Sequence, residues 1–125
     1  MNETVQEWLR KANNDFANAK TLLNSKDEQS YDLICFLCQQ SIEKLFKGLL
    51  IQQGQLIDKI HSLDKLADQL KQCCPNWNLD FEGLKWLSTI GIMSRYPEYD
   101  AAKEDVTEAF KLSSSIREQL LQYFI

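Results

Sequence analysis

Between residues 29 and 53, Tyr31, Ile34, Cys35, Cys38, Ile42, Leu45, Phe46 and Leu49 recur at three- and four-residue steps. That period places them on one stripe of an α-helix. In the first half of the segment, Leu33, Phe36 and Leu37 lie opposite the stripe, so this part is apolar nearly all round. Such a helix has to be covered on every side. Either a bundle wraps it completely or a second subunit covers the remainder, with Leu33, Phe36 and Leu37 as the candidate dimer interface. Farther along, the same opposite face becomes Gln40, Glu43, Lys44 and Lys47. This strip reads as solvent-facing, with Glu43 and Lys47 at the spacing of a helical ion pair. On that reading, charge reversal at Lys44 and Lys47 leaves the fold intact. Gly54 is the expected stop, because glycine enters the left-handed region without a Cβ clash.

The rest of the chain follows the same period. Over residues 3–25, Val5, Trp8, Leu9, Ala12, Phe16, Ala19, Leu22 and Leu23 share one face, and Thr4 and Glu7 have capping-box spacing. A third, short helix is expected after Ser62 as cap, with Leu63, Leu66, Ala67 and Leu70 inward, ending at Cys73-Cys74-Pro75-Asn76. Asp80 caps a fourth helix holding Phe81, Leu84, Leu87 and Ile90, its end bracketed by Gly91 and Pro97. A fifth begins near Asp100, with Val106, Ala109, Phe110, Ser113, Ile116, Leu120 and Tyr123 on its stripe. The expected fold is all-α, an antiparallel up-and-down bundle of four to five helices forming one domain over residues 1–125. Its expected core includes Trp8, Phe16, Ile34, Leu45, Leu49, Leu66, Leu87, Phe110 and Leu120.

Composition narrows the class further. With 125 residues, 44% hydrophobic, the chain buries enough surface to need no disulfide or metal staple. Four glycines and two prolines argue against a tightly turned β-barrel or sandwich. A formal charge of −4 supplies no basic excess for non-specific phosphate binding. No apolar run reaches membrane-spanning length, and the N-terminus has no secretion-signal pattern, so a cytoplasmic location is expected.

Few residues offer chemistry. Cys35 and Cys38 fall mid-helix and Cys73 and Cys74 are adjacent, which suits buried thiols better than paired zinc knuckles. His61 is the only histidine, so no two-histidine metal site forms within one chain. It stands at the entrance to the third helix, as a proton shuttle or as a partner for a loop carbonyl. The joint Ser94-Arg95-Tyr96-Pro97-Glu98-Tyr99 is the most pointed local feature. Pro97 biases Tyr96 to an extended conformation. Arg95 brings a planar fork for phosphate or carboxylate, and Tyr96 and Tyr99 add stacking surfaces, unless all three merely seal the bundle end. Glu98, Asp100, Glu104, Asp105 and Glu108 read as a solvated face and helix-start charge. The sequence has no P-loop, dinucleotide fingerprint, nucleophile elbow or His-Glu-x-x-His.

Three segments resemble the HEPN family (higher eukaryotes and prokaryotes nucleotide-binding domains). Residues 38–50, CQQSIEKLFKGLL, are similar to the family's QQAxEKxxKAxL helix; residues 60–66, IHSLDKL, to its THxLxxL step; and Ser94-Arg95-Tyr96-Pro97 to its ARYP element. Their order and separation also fit. The resemblance implies a helical bundle that forms a homodimer and is often encoded beside a small nucleotidyltransferase, many members being toxins of toxin–antitoxin pairs. Active members are metal-independent ribonucleases with an Arg-x(4–6)-His motif, in which histidine handles the 2′-hydroxyl proton and arginine the phosphorane charge. Here the positions after Arg95 are Asp100, Ala101 and Ala102; after Arg10 they are Asp15, Phe16 and Ala17; Arg117 is followed by no histidine. The expected function is therefore a dimeric nucleotide- or partner-binding module, without metal or cofactor. Its candidate binding residues are Gln40, Glu43, Lys44, Lys47, His61, Arg95, Tyr96 and Tyr99. The alternative is a ribonuclease toxin with a composite site of His61 and Arg95, and only that alternative brings in RNA.

Overall fold

The polar break at residues 24–28 turns the chain back on itself, and the first two helices lie side by side. The computed structural model describes residues 1–57, 59–73 and 78–125. Among these are α1 (Glu3–Ser25), α2 (Tyr31–Gln52), α3 (Leu63–Cys73), α4 (Phe81–Met93) and α5 (Lys103–Leu121), with a single 3₁₀ turn at Glu28–Ser30. No strand occurs among the described residues. No helix among the described residues is long and apolar enough to cross a membrane.

α2 is the central element and packs against each of the other four helices. Its pairings give the directions. Asp15 meets Lys44 and Trp8 meets Gly48, so α1 runs against α2. Gly91 meets Gln39 and Arg95 meets Phe36, so α4 does likewise. Ala101 bonds Asp32 and Tyr123 bonds Gln52, so α5 runs with α2. The core is built around Ile34, Ile42, Leu45, Phe46 and Leu49 of α2, with Leu66, Leu87 and Leu120 from the helices around it.

Three expected core aromatics are only half-buried: Trp8, Phe16 and Phe110. They sit at the edges of α1 and α5, where a large ring covers its neighbour with one face and meets solvent with the other. Phe16 stacks on Phe110 at 5.3 Å between centroids, and the Arg117 guanidinium lies 4.8 Å over Phe16. The all-round apolar start of α2 is covered in part. Leu37 packs against the core and Phe36 is half-buried, while Leu33 stays 48% exposed.

The helix ends show where local signals competed. α1 starts at Glu3 as expected, but its cap lies two residues before Thr4: Asn2 Oδ1 accepts from Val5 N at 2.8 Å, and Glu7 pairs with Arg10 instead of capping. Asp80 caps α4 as expected, accepting from Gly83 N at 2.9 Å. Gly54 closes α2 with φ +76°, its N–H donating to Ile51 O at 2.9 Å. Ser62 stands at the start of α3, but its hydroxyl donates to Asp64, and the Leu63 N–H is taken by Ser88 Oγ of α4 at 2.6 Å. The expected stop at Cys74-Pro75-Asn76 lies outside the described residues. α4 ends at Met93, inside the bracket of Gly91 and Pro97, and Gly91 is not itself the stop. It is buried inside the helix, where an added Cβ would come within 2.5 Å of the Gln39 Cβ.

Two substitutions test this packing. Leu45→Ala should lower the unfolding free energy by about 2–5 kcal/mol through transfer loss and a cavity, read by denaturant titration. Gly91→Ala should cost about 1–3 kcal/mol in the same assay, because the new methyl meets the root of a side chain and must push α4 from α2.

Candidate functional site

The polar strip of α2 does not face solvent as a unit. Because α2 is central, the face opposite its main stripe is itself covered in part. Glu43 is 4% and Lys47 7% exposed. A buried charge is tolerated only when paired and hydrogen-bonded, and the four-residue spacing of Gln39, Glu43 and Lys47 supplies the partners along one helix face. Gln39 Nε2 donates to Glu43 Oε1 at 2.9 Å, and Lys47 Nζ donates to Oε2 at 3.0 Å. His61 Nδ1, from the segment entering α3, meets the same Oε2 at 3.0 Å. Lys47 also lies 5.7 Å over the Trp8 ring. Burial pushes the Glu43 carboxyl up, but hydrogen bonds from His61, Gln39 and Lys47 outweigh it and hold the group below its ordinary range.

Lys44 turns the other way, toward α1. It pairs with Asp15 at 2.5 Å and borders an open groove with Thr4, Glu7, Trp8 and Lys11. The expectation that Lys44 and Lys47 are both free surface charges is thus corrected: one is a partner of α1, the other part of a buried network.

What remains on the α2–α4 side is a cleft of about 150 Å³. It is lined by Gln39, Gln40, Glu43, His61, Gly91, Ile92 and Arg95. Gln39 holds the floor together: its Nε2 reaches His61 O at 3.3 Å, and its Oε1 accepts from Gln40 Nε2 at 2.8 Å. Gly91 lets this side chain lie directly against α4. The His61 side chain is 64% exposed, and its Nε2 has no hydrogen-bond partner among the described residues. Arg95 lies 5.4 Å over the Phe36 ring and has no carboxylate partner among the described residues. Its fork is therefore free for an anion.

Of the predicted site residues, the cleft brings together Gln40, Glu43, His61 and Arg95. Tyr96 is 57% exposed, next to Arg95 in the chain but outside the cleft lining. Tyr99 is engaged elsewhere. Its hydroxyl donates to Asp105 Oδ2 at 2.8 Å, and burial, then that carboxylate, push its pKa up. Asp105 also accepts from Ala102 N, which makes it part of the start of α5. Gln39, Gly91 and Ile92 were not picked out beforehand. The first of these was within reach, since a glutamine four residues before a glutamate on one helix is placed to bond it.

Cys35 and Cys38 are fully buried. Burial, then the neighbouring Cys38, pushes the Cys35 thiol up to about 12, and burial pushes Cys38 up to about 11. Neither is a reactive thiolate. No group of three or more metal-ligating side chains comes together among the described residues.

The family model of the HEPN domain matches residues 5–123. The chain belongs to the HEPN family. Two solved structures are similar to this HEPN protein. TT1696 from Thermus thermophilus is 26% identical with a TM-score of 0.80, covering 99% of this chain and 100% of its own. ST0689, described as an archaeal HEPN homologue, is 24% identical with a TM-score of 0.67 over the same shares, a likeness of fold. No curated protein matches the chain.

The site lies on the HEPN segments of the sequence: the QQSIEK run supplies Gln39, Gln40 and Glu43, the IHSL step His61, and the SRYP joint Arg95. The positions where a ribonuclease motif would need histidine after Arg95 are the approach to α5, where Ala101 N is bonded to Asp32 Oδ1 at 2.7 Å.

Two measurements check the buried network. Folding lowers the Glu43 pKa, so its stabilisation is present above the ordinary carboxylate range and lost as pH falls through that range and below. The Tm of Glu43→Gln should therefore fall less steeply than the wild-type Tm on acidification, measured by thermal melts at stepped pH. Lys47→Glu sets two carboxylates against each other in the interior and should cost on the order of 3–5 kcal/mol. Lys44→Glu, at a partly exposed pair, should cost far less in the same unfolding assay.

Proposed function

We propose that this HEPN protein is a dimeric binding module for a nucleotide or a protein partner, working with a small nucleotidyltransferase as in toxin–antitoxin-type systems. The observation that carries this reading is the convergence of Gln40, His61 and an unpaired Arg95 on one cleft. A guanidinium held by a ring instead of a carboxylate keeps its planar donors for phosphate or carboxylate oxygens. The cleft volume of about 150 Å³ is about half the lower end of the usual range for small-ligand pockets. It suits a sugar-phosphate better than a complete nucleotide, so the rest of the ligand would lie on the rim.

That rim is apolar. Ile92, Met93 and Tyr96 are 39%, 40% and 57% exposed and flank Arg95 in the chain; Leu33, 48% exposed, stands one turn before Phe36 on α2. Single exposed apolar residues mean little, but several beside a polar cleft fit a surface that another protein covers. A second copy there would bury Leu33 and deepen the cleft.

A second reading rests on the same cleft. His61 and Arg95 are a histidine and an arginine that both line one concave site, the pair a composite metal-independent ribonuclease would need. The histidine would handle the 2′-hydroxyl proton and Arg95 the phosphorane charge.

The readings separate experimentally. Sedimentation should give a dimer that Leu33→Asp dissociates while leaving the helical circular dichroism unchanged, because a charge is placed in an apolar interface. Co-purification from the native host should recover a nucleotidyltransferase, and calorimetry should detect nucleotide binding weakened by Arg95→Gln. A monomer with neither partner nor nucleotide would end the first reading. RNA cleavage that survives purification and is lost in His61→Ala and Arg95→Ala would establish the second.

A further inference from the structure

A second cavity, of about 430 Å³, opens where the end of α1, the 3₁₀ turn and the starts of α2 and α5 converge. It is larger than the α2–α4 cleft, shares no residue with its lining, and falls in the usual range for small-ligand pockets, roughly 300–1,000 Å³. Its apolar lining is Val106, which is buried, with Leu23 and Tyr31, which are half-buried and packed against the core. Lys26 and Lys103 also line it, and neither has a carboxylate partner among the described residues. Both stand where helix energetics favour another residue. Lys26 closes α1 in the left-handed region at φ +59°; its charge suits a helix end, but its Cβ is a cost that glycine would spare. Lys103 is the first residue of α5, where the helix dipole favours an acid over a cation. The two ammonium groups nevertheless share one cavity.

We propose that this cavity binds a small organic monocarboxylate with an apolar body. Lys26 and Lys103 set against Glu28, the one carboxylate in the lining, leave a single net positive charge, which a monoanion balances. The stems of both lysines are flexible, so their ammonium groups adapt to one carboxylate. Leu23, Val106 and the Tyr31 ring offer the body apolar surface to cover. Acetate would leave that surface wet. An uncharged alcohol of the same shape would leave both ammonium groups without a counter-ion. A phosphate dianion has no apolar body and meets Glu28. The proposal is independent of the nucleotide reading, because the two linings do not overlap.

Phenylacetate is the probe, compared with acetate, 2-phenylethanol and inorganic phosphate on the full chain. In methyl ¹³C–¹H NMR titrations, the Leu23 and Val106 signals should shift saturably with phenylacetate. Each of the other three should bind more weakly by at least about twofold. Lys26→Gly and Lys103→Gln should each weaken phenylacetate by about twofold to fivefold, the range of one exposed ion pair, and Glu28→Gln should tighten it by a similar factor. Neither lysine variant should lower the Tm, since one removes a left-handed Cβ and the other a cation from a helix start, so weaker binding is not a sign of unfolding. Three results would each overturn the proposal: no methyl shifts with phenylacetate, equal binding of 2-phenylethanol or phosphate, or undiminished affinity in the Lys26→Gly, Lys103→Gln double variant. All three would leave the reading of the α2–α4 cleft as it stands.

Discussion

A carboxylate in the interior of the central helix organises the part of this molecule that carries its candidate site. Removing Glu43 from water is costly, and the cost is offset only by donors brought to it. Two come from its own helix, Gln39 one turn before and Lys47 one turn after. The third, His61, ties the entrance of α3 to α2. Gln39 in turn fills the space where α4 comes closest, which is why position 91 has no Cβ. Ser88, less than one turn earlier on α4, caps the first amide of α3. One buried charge is therefore linked through named contacts to three helices, and the cleft is the surface where those contacts end.

The fold was legible because its signals are redundant. α1 and α2 each repeat the apolar period over about six turns, so misreading one position changes nothing. Single-residue signals fared according to how local they are. Asp80 and Gly54 act on amides and carbonyls within a few residues, and both hold. Thr4 and Glu7 had the right spacing, but Asn2 offered its side-chain amide oxygen two residues earlier and took the role. Ser62 marked the right place while another helix supplied the hydroxyl. Gly91 and Pro97 do bracket the end of α4 at Met93, but Gly91 also marks a close approach to α2, which the letter alone does not show.

The site was legible in its chemistry-bearing residues and illegible in its depth. His61 and Arg95 were singled out because a lone histidine at a helix entrance and an arginine before a proline are unusual, and the fold puts both on one cleft. The polar strip misled because periodicity tells which residues share a face, not whether a neighbour covers that face. For a helix at the edge of a bundle, the polar face is the wet one. For α2, surrounded by the other four, it is internal wherever the charges pair. Lys47 and Lys44 lie three residues apart, and one is buried against Glu43 while the other reaches across to Asp15. Only the partners distinguish them.

Net charge misleads at the site for a related reason. The chain is acidic by four, yet several of its acids are engaged away from the cleft. Asp105 holds Tyr99 and the amide of Ala102 that caps α5, Asp32 holds Ala101, and Asp15 holds Lys44. Arg95 is supported instead by the face of Phe36. A cation–π contact orients a guanidinium without occupying its N–H donors, whereas a carboxylate would both orient and neutralise it. The half-buried Phe36, first noted because it left α2 apolar on two sides, thus has a use within one chain: it presents a cation to the cleft of an acidic protein with its hydrogen-bonding edge still open.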